Sequence, residues 1–213
     1  PIKSLFIIII AGFNSVVVGY MIQKKQPAGK IIFYGSLVSI LASIISLTLL
    51  SYIGGINMVQ ILEQTFTMSN EIYDSLFKSV GADPAKVEEM RTMMEYAKNM
   101  AIMLLPSSVI FGSIILTYMN YSVSGAVLKR MGYFIEKPKR FSEFRLPKNI
   151  LMGTTVILIL TYLVKNLEIV NFEALAANVV YIFFITYLIQ GLSVVSFLME
   201  KRGIGKGSRI FII

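Results

Sequence analysis

The chain has 213 residues, 55% of them hydrophobic and 15% charged, with a formal net charge of +8 and a mean hydropathy of +0.72. Soluble domains carry about 25% charged residues, so this balance argues against an ordinary water-soluble globule. The sequence contains neither Cys nor His, which removes zinc sites, thiol chemistry, disulfides and imidazole catalysis from the candidate functions.

The charges are clustered. Residues 4–23, 31–62, 99–128, 149–164 and 174–199 contain no Asp, Glu, Lys or Arg. A spanning helix needs about 20 mostly apolar residues. The expected fold is therefore all-α: a polytopic membrane helix bundle with five complete spans, near 4–23, 31–53, 100–128, 149–165 and 174–199, in a single membrane domain over 1–213. The fourth span is short and needs Lys148 and Lys165 to snorkel toward the two surfaces. The chain opens on Pro1 and ends on an apolar run at 210–213 that reads as the first turn of a further span, so a fragment of a longer protein is expected.

Fourteen of the twenty basic residues fall in three loops: Lys24, Lys25 and Lys30; seven between Lys129 and Lys148; and Lys201, Arg202, Lys206 and Arg209. Residues 63–98 instead hold seven acids against four bases. Cationic loops resist translocation. Loops 24–30, 129–148 and 201–209 are thus expected on the cytoplasmic side of the membrane, and the acid-richer loops outside. This pattern accounts for the positive charge without nucleic acid.

In the first span Ala11, Ser15 and Gly19 recur at four-residue spacing, a face that lets a neighbouring backbone approach. Asn14 lies beside it, either as an interhelical hydrogen-bonding group or lining a ligand site. Pro27 and Gly29 mark a short turn. Gly35, Ser39 and Ser43, with Ala42 and Ser46 alongside, are expected to pack the second span against the first. Gly54 and Gly55 end it.

Residues 56–99 read as an extracytoplasmic amphipathic helical hairpin. Val59, Leu62, Phe66, Tyr73, Leu76, Phe77 and Val80 recur near helical spacing. Gly81 closes this helix, and Asp83 with Pro84 opens the next as N-cap and first residue. Val87, Met90, Met94, Ala97 and Ala101 carry a second stripe straight into the third span. The hairpin is expected to be a cap on the bundle, a lid, or a docking surface. Pro106 is expected to kink the third span from within, with Ser107 and Ser108 satisfying the freed carbonyl.

In the basic loop, Phe134, Phe141, Phe144 and Leu146 alternate with cations. The segment is expected to lie on the inner leaflet, with Lys137, Lys139, Arg140 and Arg145 contacting anionic lipid or a partner. The last complete span is the most polar, with Asn178, Tyr181, Thr186, Tyr187, Gln190, Ser193 and Ser196. Such a face either holds helices together or lines an internal cavity.

Two stretches carry a family resemblance: FSEFRLP at 141–147, leading into a span, and YLIQGLSV at 187–194, in the following one. With Pro106 in the preceding span, they resemble the YybS-like family of bacterial membrane proteins. Its architecture is similar to the substrate-binding subunits of energy-coupling-factor transporters and to MreD-type rod-shape proteins. The resemblance implies a compact multi-helix bundle; it implies no particular substrate and brings no catalytic residues to carry over.

Two functions follow as expectations. One is a substrate-binding or permease-type subunit that holds a small, largely neutral solute among Asn14, Asn178, Tyr181 and Gln190. The other is a membrane scaffold or regulatory protein without transport activity. Expected partners are the lipid bilayer, anionic lipids at the inner loops, and other membrane subunits. An enzyme is not expected, because the spans offer no His, Cys or acid pair; neither is a cofactor or a metal.

Overall fold

The computed structural model describes residues 2–55, 57–81, 83–165 and 171–204, with side chains from residue 9 onward. Most of residues 165–173, between the fourth and fifth expected spans, therefore lie outside the described residues, as do most of 201–209 and all of 210–213. The described residues form seven α-helices and one short 3-10 turn: α1 (Ile2–Gln23), α2 (Ala28–Gly54), α3 (Met58–Ser79), α4 (Pro84–Met103), α5 (Leu105–Arg130), the turn Phe141–Glu143, α6 (Ile150–Val164) and α7 (Phe172–Lys201). No strand occurs among them, as expected for an all-α membrane protein. Three helices, α2, α5 and α7, are long and apolar enough to cross a membrane; Ile9–Gln23 and Ile150–Val164 are shorter apolar helices.

Burial follows an inverted pattern. Asn14, Ser39, Ser107, Thr117 and Ser193 are 0% exposed, whereas Phe33, Ile45, Leu151, Met152 and Phe184 stand open. In water this arrangement costs free energy twice, through unshielded apolar surface and through desolvated polar groups. With hydrocarbon as the solvent, large apolar side chains face out and small or polar ones mediate helix contact.

The chain falls into two compact units, residues 1–135 and 136–213. In the first, α1, α2 and α5 pack on one another, and α3 packs on α4. Val18, Ala28, Ile31 and Tyr121 form its apolar cluster, with Met21, Ile22 and Ile135 against it. This cluster brings the α1–α2 turn and the end of α5 to the same end of the unit. In the second unit α6 packs on α7, and the 3-10 turn lies on α7.

The face that α1 presents differs from the expected one. Ser15 and Gly19 are exposed, and Asn14 and Val18 point inward. A Cβ added at Gly19 would meet nothing within 4 Å. An amide in hydrocarbon needs partners, and turning Asn14 inward rotates Ser15 away by roughly 100°. On α2 the expected face is largely the packed one: Gly35, Ser39, Ala42 and Ser46 are buried, and Ser43 is half-buried.

The junction near Pro106 also differs. The hairpin extends to Met103, and the third span begins at Leu105 rather than near residue 100. Leu104 breaks the helix at φ −89° and ψ 7°, and Pro106 sits in the first turn of α5. Proline lacks the N–H that an interior position would use, and the first turn is where that absence costs least. The Ser108 hydroxyl donates to the Leu104 carbonyl at 3.0 Å.

The hairpin ends as expected. Asp83 accepts from the Ala85 N–H at 3.0 Å; the cap of α3, Asn57 accepting from the Val59 N–H at 2.9 Å, was not anticipated. Gly81 takes φ +63°, the left-handed value that closes a helix with little steric cost. Val59, Leu62, Phe66, Phe77, Val87, Met90 and Met94 are half-buried, but Tyr73, Leu76 and Val80 are exposed. No side chain of α3 or α4 is fully buried. Arg91 clamps the two helices, donating through Nε to Asp74 Oδ1 at 3.2 Å and through a terminal nitrogen to Oδ2 at 2.5 Å. That hydrogen bond holds the Asp74 carboxyl below its ordinary value and raises the Arg91 guanidinium.

Candidate functional site

Two polar constellations stand out, one in each unit. The first is centred on Asn14. Its Nδ2 lies 3.1 Å from the Gly35 carbonyl, 2.8 Å from Ser39 Oγ and 2.7 Å from Thr117 Oγ1. Two hydrogens serve three acceptors, so one bond is shared. Thr117 donates its own hydrogen to the Ser113 carbonyl at 2.8 Å, which leaves its oxygen to accept from Asn14. On the other side Asn14 Oδ1 accepts from Asn120 Nδ2 at 2.6 Å. Asn120 also reaches Ser15 Oγ at 3.1 Å and accepts from Ser124 Oγ at 3.1 Å.

The α2 backbone comes close enough for this because residue 35 is glycine. A Cβ there would stand 2.6 Å from Thr117 Cγ2 and 3.2 Å from Val18 Cγ2. Four residues carry the junction: Asn14 on α1, Gly35 and Ser39 on α2, and Thr117 on α5. Sequence reasoning found the first three and missed Thr117 and Asn120. The available signal was the polar ladder Ser113, Thr117, Asn120, Ser124 along an otherwise apolar span. Ser46, farther along α2, is buried with no hydrogen-bond partner among the described residues.

The second constellation joins the segment after residue 136 to the C-terminal half of α7. Gln190 Oε1 accepts from the Leu146 N–H at 2.8 Å. The Ser193 hydroxyl lies 2.8 Å from the Phe141 carbonyl and 2.9 Å from the Phe144 carbonyl. Arg145 donates to the carbonyls of Ser142 and Phe144 at 3.2 and 2.9 Å and reaches Ser193 Oγ at 3.3 Å. Its guanidinium stacks 5.4 Å from the Phe197 ring centroid. Glu200 closes the end, pairing with Arg140 at 3.0 Å and accepting from the buried Ser142 hydroxyl at 2.8 Å. The segment is thus a strap along α7. The stretches 141–147 and 187–194 face each other across it.

The residues expected to hold a solute are distributed over both units. Asn14 lies in the first, and Asn178, Tyr181 and Gln190 lie on α7 in the second. Asn178 donates to the Ala174 carbonyl of its own helix at 2.7 Å. Tyr181 is half-buried one turn on. Gln190 is engaged by the strap. Nearby, Tyr187 and Thr154 share a hydroxyl–hydroxyl bond of 2.7 Å that ties α7 to α6. Of the four basic loop residues, Arg140 and Arg145 are bound to α7 and to the strap's own backbone, whereas Lys137 and Lys139 are exposed.

Comparison with known proteins agrees with this membrane architecture. A family model described as "Predicted membrane protein (DUF2232)" matches residues 1–213. Among curated proteins the chain is similar to the uncharacterized protein YybS of Bacillus subtilis (strain 168), at 22% identity over 161 residues, covering 76% of this chain and 52% of that protein. The chain spans about half the length of that curated relative. No solved structure matches.

Proposed function

The chain belongs to the DUF2232 family of predicted membrane proteins, and from that premise we propose that it is a non-catalytic scaffold or regulatory protein of the bacterial plasma membrane. Its intramembrane polar groups join helices to one another and do not receive a solute. The observation that carries this reading is the engagement of Asn14: both its amide nitrogen and its carbonyl oxygen are bound by protein groups, across three helices. Gln190 supports it too, since its oxygen is used by a backbone N–H.

The scaffold presents its basic strap to the cytoplasm and its α3–α4 hairpin to the outside. The end of the first unit that carries Lys24, Lys25 and Lys30 also receives the basic end of α5, as the positive-inside rule requires. Cysteines replacing Ser79 and Lys139 test this, both positions being exposed. A membrane-impermeant maleimide is expected to label S79C on intact cells and K139C only after permeabilisation. Labelling of both from outside refutes the orientation.

A second reading, a substrate-binding subunit for a small neutral solute, is favoured by one observation. Asn178 and Tyr181 lie one turn apart on α7, roughly 18 and 13 Å along the axis from Gln190, beyond the strap. The readings separate on small molecules released by denaturing protein purified in mild detergent. The scaffold reading expects no released species whose amount falls in an Asn178→Leu, Tyr181→Phe variant of unchanged abundance. A stoichiometric species that disappears in that variant replaces it with the second reading.

A further inference from the structure

We propose that the groove between α2 and α5 binds an anionic phospholipid, one acyl chain lying along its floor and the phosphate held at Lys30. The groove is open along one side and offers about 310 Å³. Gly29, Ile32, Phe33, Leu37 and Ile40 line it from α2, and Ile114 from α5. Its one polar lining residue, Ser36, turns its hydroxyl back onto the Ile32 carbonyl at 2.7 Å. The floor therefore offers a ligand only hydrocarbon. From Gly29 to Ile40 the helix rises about 16 Å, close to half of the ~30 Å hydrocarbon core. That is the depth of one leaflet, and so the reach of one acyl chain.

Charge at one end identifies the headgroup. Gly29 opens the mouth, where an added Cβ would meet nothing within 4 Å. Lys30 is exposed beside it, and Leu37, one heptad on, shares its face to within ~20°. Lys25 is exposed in the adjoining turn, and Lys24 leans on the Tyr20 ring at 5.7 Å. No side chain caps the first turn of α2, so its partly positive N–H groups add to the same field. No Asp or Glu occurs in residues 1–62 or 105–130, so no carboxylate on α1, α2 or α5 competes with a phosphate. A cationic mouth above an apolar channel one leaflet deep fits a phospholipid with net negative charge better than a zwitterionic one.

Brominated lipids test the site directly, because bromine quenches tryptophan only on contact and the chain has no Trp. A Phe33→Trp reporter is reconstituted in phosphatidylcholine vesicles containing either dibrominated phosphatidylglycerol or dibrominated phosphatidylcholine at equal mole fraction. The anionic lipid is expected to quench the reporter several-fold more effectively, and Lys30→Gln to reduce that preference about fivefold. Gly29→Leu, which obstructs the mouth without changing charge, is expected to remove the preference as well. An Ile159→Trp reporter on α6 should show none. Equal quenching of the F33W reporter by both lipids overturns the proposal, since the groove is then merely solvated by bulk lipid. Weak quenching by both also overturns it and assigns the groove to a second copy of the chain. A preference that survives Gly29→Leu overturns it in favour of diffuse surface charge.

Discussion

Asn14 on α1 and Thr117 on α5, 103 residues apart in sequence, meet at 2.7 Å beside the backbone of Gly35 on α2. The contact exists only because residue 35 has no side chain. Three helices are therefore keyed together at one depth by one amide, one hydroxyl and one missing methyl group.

That geometry predicts a specific rescue. Gly35→Ala places a methyl group 2.6 Å from Thr117 Cγ2 and should destabilise the first unit by about 1–3 kcal/mol, as overpacking does. Thr117→Ser deletes Cγ2 and keeps the hydroxyl. The double variant should recover most of the loss in thermal unfolding in detergent. Equal instability of the double variant would mean that α2 and α5 are not held at this distance.

Two buried polar groups should behave oppositely. Asn14→Leu leaves Asn120, Ser39 and Thr117 without a common partner, and a loss of about 1–2 kcal/mol is expected, near the upper end for hydrogen bonds between membrane helices. Ser46 has no partner among the described residues, so Ser46→Ala should be neutral or slightly stabilising. Unfolding midpoints of the two variants against the parent decide the matter.

The strap can be followed at one amide. The Leu146 N–H is protected by Gln190 Oε1. Gln190→Leu should speed its hydrogen exchange about tenfold, as expected for losing ~1.4 kcal/mol of protection. Gln190→Glu retains an acceptor and should keep the exchange slow. Unchanged exchange in the leucine variant would show that the strap is held elsewhere.

The hairpin carries a pH signature. Asp74 has a folded-state value depressed chiefly by its hydrogen bond from Arg91. A depressed carboxylate contributes its stability above the unfolded value and loses it as pH falls through the folded one. Exchange protection along α4 should thus be constant from neutral pH down to the ordinary carboxylate range and then decline. Asp74→Asn should abolish that decline. The Arg91 shift lies above any pH of interest and adds no dependence there.

What could be read from the sequence was what local composition controls. The apolar runs became helices, Asp83 and Gly81 punctuate the hairpin, and the buried face of α2 follows from its small residues. The strap's two halves were visible as motifs, but nothing in either one announces that Gln190 accepts from the residue 146 backbone. The face of α1 was misread because small-residue spacing was weighed above the need of one amide for partners. Those partners, Thr117 and Asn120, lie on a helix more than a hundred residues downstream. Pro106 was placed within a span because uncharged composition runs across Leu104 without a mark; only the backbone geometry reveals the break.

The three-helix junction also constrains how the protein is made. When α1 and α2 have entered the bilayer, Asn14 already has Gly35 and Ser39 beside it, but its carbonyl oxygen waits for Asn120. At about 5–20 residues per second, the ribosome needs several seconds to deliver that residue. During this interval a half-paired amide sits in hydrocarbon. Newborn chains stalled before α5 should therefore stay associated with the insertion machinery, and those stalled beyond it should leave.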